Sequence, residues 1–289
     1  MLPFWLSIGL LSAVQGAIVA SARVPDVPVL ARLRDRRWAV IPPLSVLGFV
    51  LVGVLAEHAS AQGLTYLALG AVPLLAAAAL GWLTPGARPA AALVVLPLFA
   101  LAWADAGALA GEAAAVALSA LSCVALGVLL AAVTPPRWLA AGILAMALVD
   151  AALVIAQLLQ RPNDALNAAH PAAGLPRLQS ALLGSAVMGY GDLFIAGVLG
   201  ALLALVAGRR TQSRAALLAA GLAAGFDLLF FFVDELPATV PVALTLIVVL
   251  AARRRRCAAS GPAPAPAASA GQPARAQRRL DRPPRPAGP

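Results

Sequence analysis

Lysine is absent from this 289-residue chain: all 21 basic residues are arginine, and charged side chains of both signs make up only 11%. An ordinary soluble domain carries roughly a quarter charged residues, so that class is excluded. The two cysteines, Cys123 and Cys257, are too few for a disulfide framework or a zinc site. No cluster of histidine, cysteine and acidic residues marks a metal centre, and no cofactor is expected. Residues 1–22 contain no basic side chain. Ala20-Ser21-Ala22 looks like a signal-peptidase site, but it lacks the positive leading region of a cleaved signal, so the first apolar run is expected to stay as a span. The formal net charge of +9 does not point to nucleic acid, because nine arginines lie at or beyond Arg253 and five more between Arg23 and Arg37. Arginines beside apolar runs are the mark of cytoplasmic loops.

What fills the chain instead is apolar: 62% hydrophobic residues and a mean hydropathy of +0.90. Long apolar segments recur throughout. The expected fold is all-α, a polytopic bundle of nine transmembrane helices near 3–22, 38–56, 64–84, 89–107, 113–134, 138–159, 178–208, 215–234 and 237–252. Trp38, Trp82 and Trp138 fall near expected span ends, as interfacial anchors do. Two parts follow: a membrane domain over residues 1–256 and a Pro/Ala/Arg-rich tail, 257–289, too poor in large apolar side chains to bury a core. Arginine-only basicity with heavy Ala, Leu and Pro use points to a GC-rich, bacterial genome, hence the inner (plasma) membrane. Loops after spans one, three, five and seven contain Arg23, Arg32, Arg34, Arg36, Arg37, Arg88, Arg137, Arg209, Arg210 and Arg214. The opposite loops contain only Arg161 and Arg177. The N-terminus is therefore expected outside and the C-terminus in the cytoplasm.

Against this background two aspartates stand out, Asp150 in Met146-Ala147-Leu148-Val149-Asp150 and Asp192 in Gly189-Tyr190-Gly191-Asp192. An ionisable group deep in a bilayer costs several kcal/mol by order of magnitude and marks a functional site. At about 1.5 Å per residue, Asp150 would lie roughly 15 Å from the outer end of its helix and Asp192 roughly 20 Å from the outer start of the next. Those helices run antiparallel, so the carboxylates can meet. A third feature is Leu236-Pro237-Ala238-Thr239-Val240-Pro241, where two prolines leave backbone groups without helical partners. Such backbone is tolerated at depth only against protein or a water-filled cavity.

The order aspartate, Gly-x-Gly-Asp, Pro-Ala-x resembles the presenilin and signal peptide peptidase family of intramembrane aspartyl proteases. Residues Gly189 to Gly197 are similar to the signal-peptide-peptidase stretch of the second aspartate helix. Motif-level resemblance covers about residues 138–252; the first five spans match in number alone. It implies Asp150 and Asp192 as the catalytic pair, with Gly189, Tyr190, Gly191, Leu236, Pro237, Ala238 and Thr239 holding substrate. Two close carboxylates cannot both ionise, so the pair would share one proton and activate water. The expected substrates are single-span membrane proteins or remnant signal peptides with cytoplasmic N-termini, with the lipid bilayer as the other partner. Two positions depart from the family pattern: Val149 replaces tyrosine and Thr239 replaces leucine. An inactive relative is the reading that these departures leave open.

Two other classes compete. A prepilin-type peptidase also uses Gly-x-Gly-Asp, but Leu193-Phe194 stands where x-Lys is typical of that family. A proton-coupled transporter could use Asp150, Asp192 and Asp227 as a relay, although no internal repeat is visible. Asp227 is expected to be a structural partner facing the bundle. Asp105, Glu112 and His170 are expected to be solvated in outer loops, and Tyr190 is expected either to pack inside the bundle or to hydrogen-bond a carboxylate.

Overall fold

The computed structural model describes residues 2–233 and 236–259. Its helices are α1 (Phe4–Ser21), α2 (Pro28–Arg32), α3 (Ile41–Leu55), α4 (Glu57–Ala78), α5 (Val95–Ala104), α6 (Leu109–Val133), α7 (Pro136–Ile155), α8 (Gln160–Ala168), α9 (Tyr190–Val206), α10 (Arg209–Asp227) and α11 (Thr239–Ala259). One antiparallel hairpin, β1 (Ser180–Leu183) with β2 (Ala186–Gly189), precedes α9. The bundle runs to Val249, and the chain from Leu250 forms a separate unit.

Among the described residues, six helical segments are long and apolar enough to cross a membrane: Phe4–Ser21, Arg36–Leu55, Ala59–Leu83, Leu109–Val133, Pro136–Ile155 and Arg209–Phe231. Two apolar helices, Pro89–Ala104 and Tyr190–Val206, are shorter. The protein is thus a helical membrane protein with six candidate spans. These eight segments and α11 overlap the nine stretches read from hydropathy, of which six have the length and apolarity of a span among the described residues. Prolines help to set the starts. Pro42 opens α3 and Pro136 opens α7, where a missing N–H costs nothing and the fixed φ suits the first turn.

The core is built on α6, whose Leu118, Cys123, Val124, Ala125, Val128 and Ala131 are buried. It crosses α9 at two glycines. A Cβ on Gly127 would fall on the Gly197 backbone, and one on Gly197 would fall on the Cys123 carbonyl. Without a side chain at either position the two backbones come into contact, and dispersion rather than water release holds them in lipid. Buried Gln212 of α10 ties three helices: its Nε2 donates to the carbonyls of Val19 and Ala22 at 2.9 Å and of Gly200 at 3.2 Å. Its two N–H groups are shared among three carbonyls, contacts that lipid could not supply.

The expected helix over 178–208 is corrected. Helix begins only at Tyr190, and Ser180 to Gly189 form the hairpin, with Ser180 opposite Gly189 and Leu183 opposite Ala186. Gly184, at the turn, has φ +63°, a left-handed conformation that suits glycine. Its N–H donates to Glu112 Oε2 at 2.7 Å, so Glu112 fastens the turn rather than being a purely solvated loop acid. An apolar run of this length reads the same as strand or helix by hydropathy. Here the buried Ala181, Leu183, Ala186 and Met188 give the hairpin an inward face, the support that two strands alone lack.

Two further boundaries move. Helix α8 occupies part of the expected polar loop 161–176, with Pro162 buried against Gly53. Helix α10 starts at Arg209 rather than near 215, which places Arg209, Arg210 and Arg214 on its first turns. The expected turn at Asp234-Glu235 and the tail from residue 260 lie outside the described residues.

Candidate active site

A cavity of about 1090 Å³ opens inside the bundle, lined by residues of α1 to α4, α6 to α10, the hairpin, and the segment that leads into the start of α11. Asp150, Asp192 and Thr239 all face it. Among the described residues, its lining includes no arginine, lysine or histidine. A carboxylate there has no cation to pair with, so its charge must be managed by hydrogen bonds, helix ends and a shared proton.

Asp150 lies on α7 and is 8% exposed. The Thr239 hydroxyl donates to its Oδ2 at 2.6 Å. The Thr239 backbone N–H also faces this carboxylate. Thr239 is the first residue of α11, so Asp150 caps from α7 a helix that begins almost ninety positions later. Orphan N–H groups and the positive end of the helix dipole make that a natural seat for a carboxylate.

Asp192 occupies the third position of α9, with Gly189 as the N-cap. This corrects the expectation of roughly 20 Å of helix ahead of it: the chain before it is strand and cap. Its carboxylate turns back against the Gly189 backbone, whose hypothetical Cβ would lie 3.0 Å from Oδ2. An acid at this position reaching back to its own N-cap is half of a capping box. The Asp150 and Asp192 carboxylates are close enough to act on each other electrostatically. Each therefore sits at a helix N-terminus, one its own and one borrowed.

Gln15 of α1 joins the two halves. Its side chain is fully buried, and its Nε2 donates to the backbone carbonyls of Asp192 and Ala238, each at 3.2 Å. Its Oε1 has no hydrogen-bond partner. One turn away, the Ser12 hydroxyl donates to Asp227 Oδ2 at 2.6 Å. Asp227 lines the same cavity and ties α10 to α1.

Of the residues expected to hold substrate, Gly189, Tyr190, Gly191, Leu236, Ala238 and Thr239 line the cavity. Pro237 turns the chain between them, and its carbonyl accepts from the Val240 N–H at 3.1 Å. Tyr190 points its hydroxyl at Ser122 of α6, 2.6 Å away, and packs with the core there. Its hydroxyl bond is thus to a serine. Sequence reasoning missed Gln15 and Ser12, and it gave Glu112 only a solvated loop role. The available signal was α1 itself, where Ser7, Ser12 and Gln15 break an otherwise apolar span and all lie buried.

Among the described residues, no group of three His, Cys, Asp or Glu side chains is placed to hold a metal ion. No protein-family model, curated protein or solved structure matches the chain.

Proposed function

We propose that this chain is an intramembrane aspartyl protease of the presenilin and signal peptide peptidase type, with Asp150 and Asp192 as its catalytic pair. The observation that carries this reading is the single cavity onto which both carboxylates and the Pro-Ala-Thr segment open. A cavity without basic residues favours a pair that holds one proton between two oxygens. The charged carboxylate takes a proton from water as the water oxygen attacks the scissile carbonyl carbon. The protonated partner donates its proton to the carbonyl oxygen. Collapse of the resulting diol breaks the C–N bond, and the carboxyl that took the water proton returns one to the leaving nitrogen.

A peptide bond within a helix is shielded by its own turns, so substrate must unwind to reach the pair. Strand β2 lines the cavity directly ahead of Asp192, with Val187 exposed, and so provides extended backbone beside the acid. An unwound segment laid along β2 and the Leu236–Thr239 stretch would gain main-chain hydrogen bonds in place of those it lost. In this reading the chain crosses a bacterial inner membrane nine times, with α5 and α9 as the shorter crossings and the apolar part of α11 ahead of Arg253 as the last. Its N-terminus is outside, and its substrates are single-span proteins or remnant signal peptides of the opposite orientation.

The test is expression with a tagged single-span substrate, comparing wild type with Asp150→Ala and Asp192→Ala. Cleavage by wild type and its loss in both variants is the expected result; cleavage that survives both ends the proposal. Asp227 on the cavity wall favours a second reading, a proton-coupled transporter. Proton uptake driven by a solute gradient in vesicles containing the purified chain, with no cleavage, would select it.

A further inference from the structure

The departure at Thr239 is where the structure goes beyond the two-carboxylate scheme. Its hydroxyl reaches Asp150 Oδ2 at 2.6 Å, within the range of an O–H donor bonded to a charged carboxylate. Thr239 is 1% exposed and Asp150 8%, so the bond lies in a buried setting on the cavity wall. The Thr239 backbone N–H and the N-terminus of α11 face the same carboxylate. Asp192 has its own helix end and the Gly189 backbone, and no side-chain hydroxyl or amide donates to it among the described residues. A leucine at 239 would leave the two acids nearly equivalent; a threonine does not.

We propose that Thr239 is a positioning residue that holds Asp150 as the charged member of the pair, leaving the shared proton on Asp192. This rests on the protease reading and assigns its roles: Asp150 takes the proton from water, and Asp192 gives its proton to the scissile carbonyl oxygen. The other titratable groups on the cavity wall are Asp164, Asp227 and Tyr190. Asp227 is engaged by Ser12 and Tyr190 by Ser122, while Asp164 is exposed on α8. Apart from Thr239 at Asp150, no side chain of the wall donates to either member of the pair among the described residues.

The decisive measurement does not need cleavage. In the purified full-length chain carrying Asp192→Asn, the infrared carbonyl stretch of a protonated carboxyl reports Asp150 as pH is lowered. Comparison with the same protein carrying Asp192→Asn and Thr239→Val isolates the hydroxyl. The expected result is a titration midpoint about one pH unit or more higher with valine, the loss of one hydrogen bond to a charged group. Serine at 239 should return the midpoint towards the threonine value. Coincident midpoints for threonine and valine overturn the proposal. Should the valine protein not fold, Thr239→Ala takes its place under the same criterion.

Kinetics give the second readout. Thr239→Val is expected to lower kcat roughly 10- to 100-fold with little change in KM, and its acid-side fall in rate begins at higher pH. Thr239→Ser should recover most of the rate. Equal kcat and pH profile in the threonine and valine enzymes overturn the assignment. A midpoint shift between the two Asp192→Asn proteins, together with a wild-type chain that cleaves nothing, sinks the protease reading and leaves the Thr239–Asp150 relation standing. Cleavage with coincident midpoints does the reverse.

Discussion

Replacing Gln15 with leucine should leave the bundle almost as stable and yet disable the site. The substitution removes two hydrogen bonds, to the carbonyls of Asp192 and Ala238. Interhelical hydrogen bonds in membranes average about 0.6 kcal/mol, so the direct loss is about 1–2 kcal/mol. It also removes Oε1, which is buried without a partner and costs about 1–3 kcal/mol where it stands. The two terms nearly cancel, and leucine is close in size and apolar. Thermal unfolding in detergent should therefore shift by only a few degrees. The local consequence does not cancel. Gln15 is the bridge between the start of α9 and the stretch ahead of α11, so its loss frees Ala238 and Thr239 from their register with Asp192. Hydrogen exchange at residues 236–240 should accelerate, and cleavage should fall by an order of magnitude or more. Wild-type exchange and wild-type cleavage in a folded Gln15→Leu protein would refute this account. So would a collapse in stability, which would make Gln15 a general strut.

Gly197→Val should destabilise by about 3 kcal/mol or more, because its side chain would fall on the Cys123 carbonyl and force α6 from α9; thermal unfolding in detergent reads it. Asp227→Asn keeps an oxygen for the Ser12 hydroxyl, so cleavage should stay within about threefold of wild type, whereas a proton relay through Asp227 would lose transport entirely. Glu112→Ala removes the acceptor for the Gly184 N–H, and exchange across Ser180 to Gly189 should rise while the six long helices keep their protection. If the pair acts as proposed, wild-type cleavage should fall on both sides of an optimum, because it would work only with one proton; a rate that rises or falls monotonically across the range would contradict it.

Much of the site was legible because its parts are local and chemically conspicuous. Asp150 and Asp192 stand out in apolar runs at any level of reading, and two prolines within five residues announce a helix that begins late. The hairpin was not legible. Leu178 to Gly189 runs into the apolar stretch of α9 and so reads as the start of one span, and only the turn at Gly184, the Glu112 carboxylate and the inward face against the bundle make it strand. Gln15 was passed over because one amide in a first span has no meaning until its neighbours are known. Those neighbours, Asp192 and Ala238, lie more than 170 positions away.

Composition and hydropathy determined by themselves that the chain is a helical membrane protein, roughly which stretches are apolar, and which acids are out of place there. Burial in lipid is a property of each segment alone, so the segment's own residues decide it. Which groups share a cavity was decided only by tertiary structure. Asp150 meets Thr239, Gln15 joins Asp192 to Ala238, and Ser12 takes Asp227, each across separations of dozens to hundreds of residues. Hydrogen bonds act over about 3 Å of space whatever the distance along the chain. The pairing therefore exists only once α1, α7, α9 and the start of α11 are packed together.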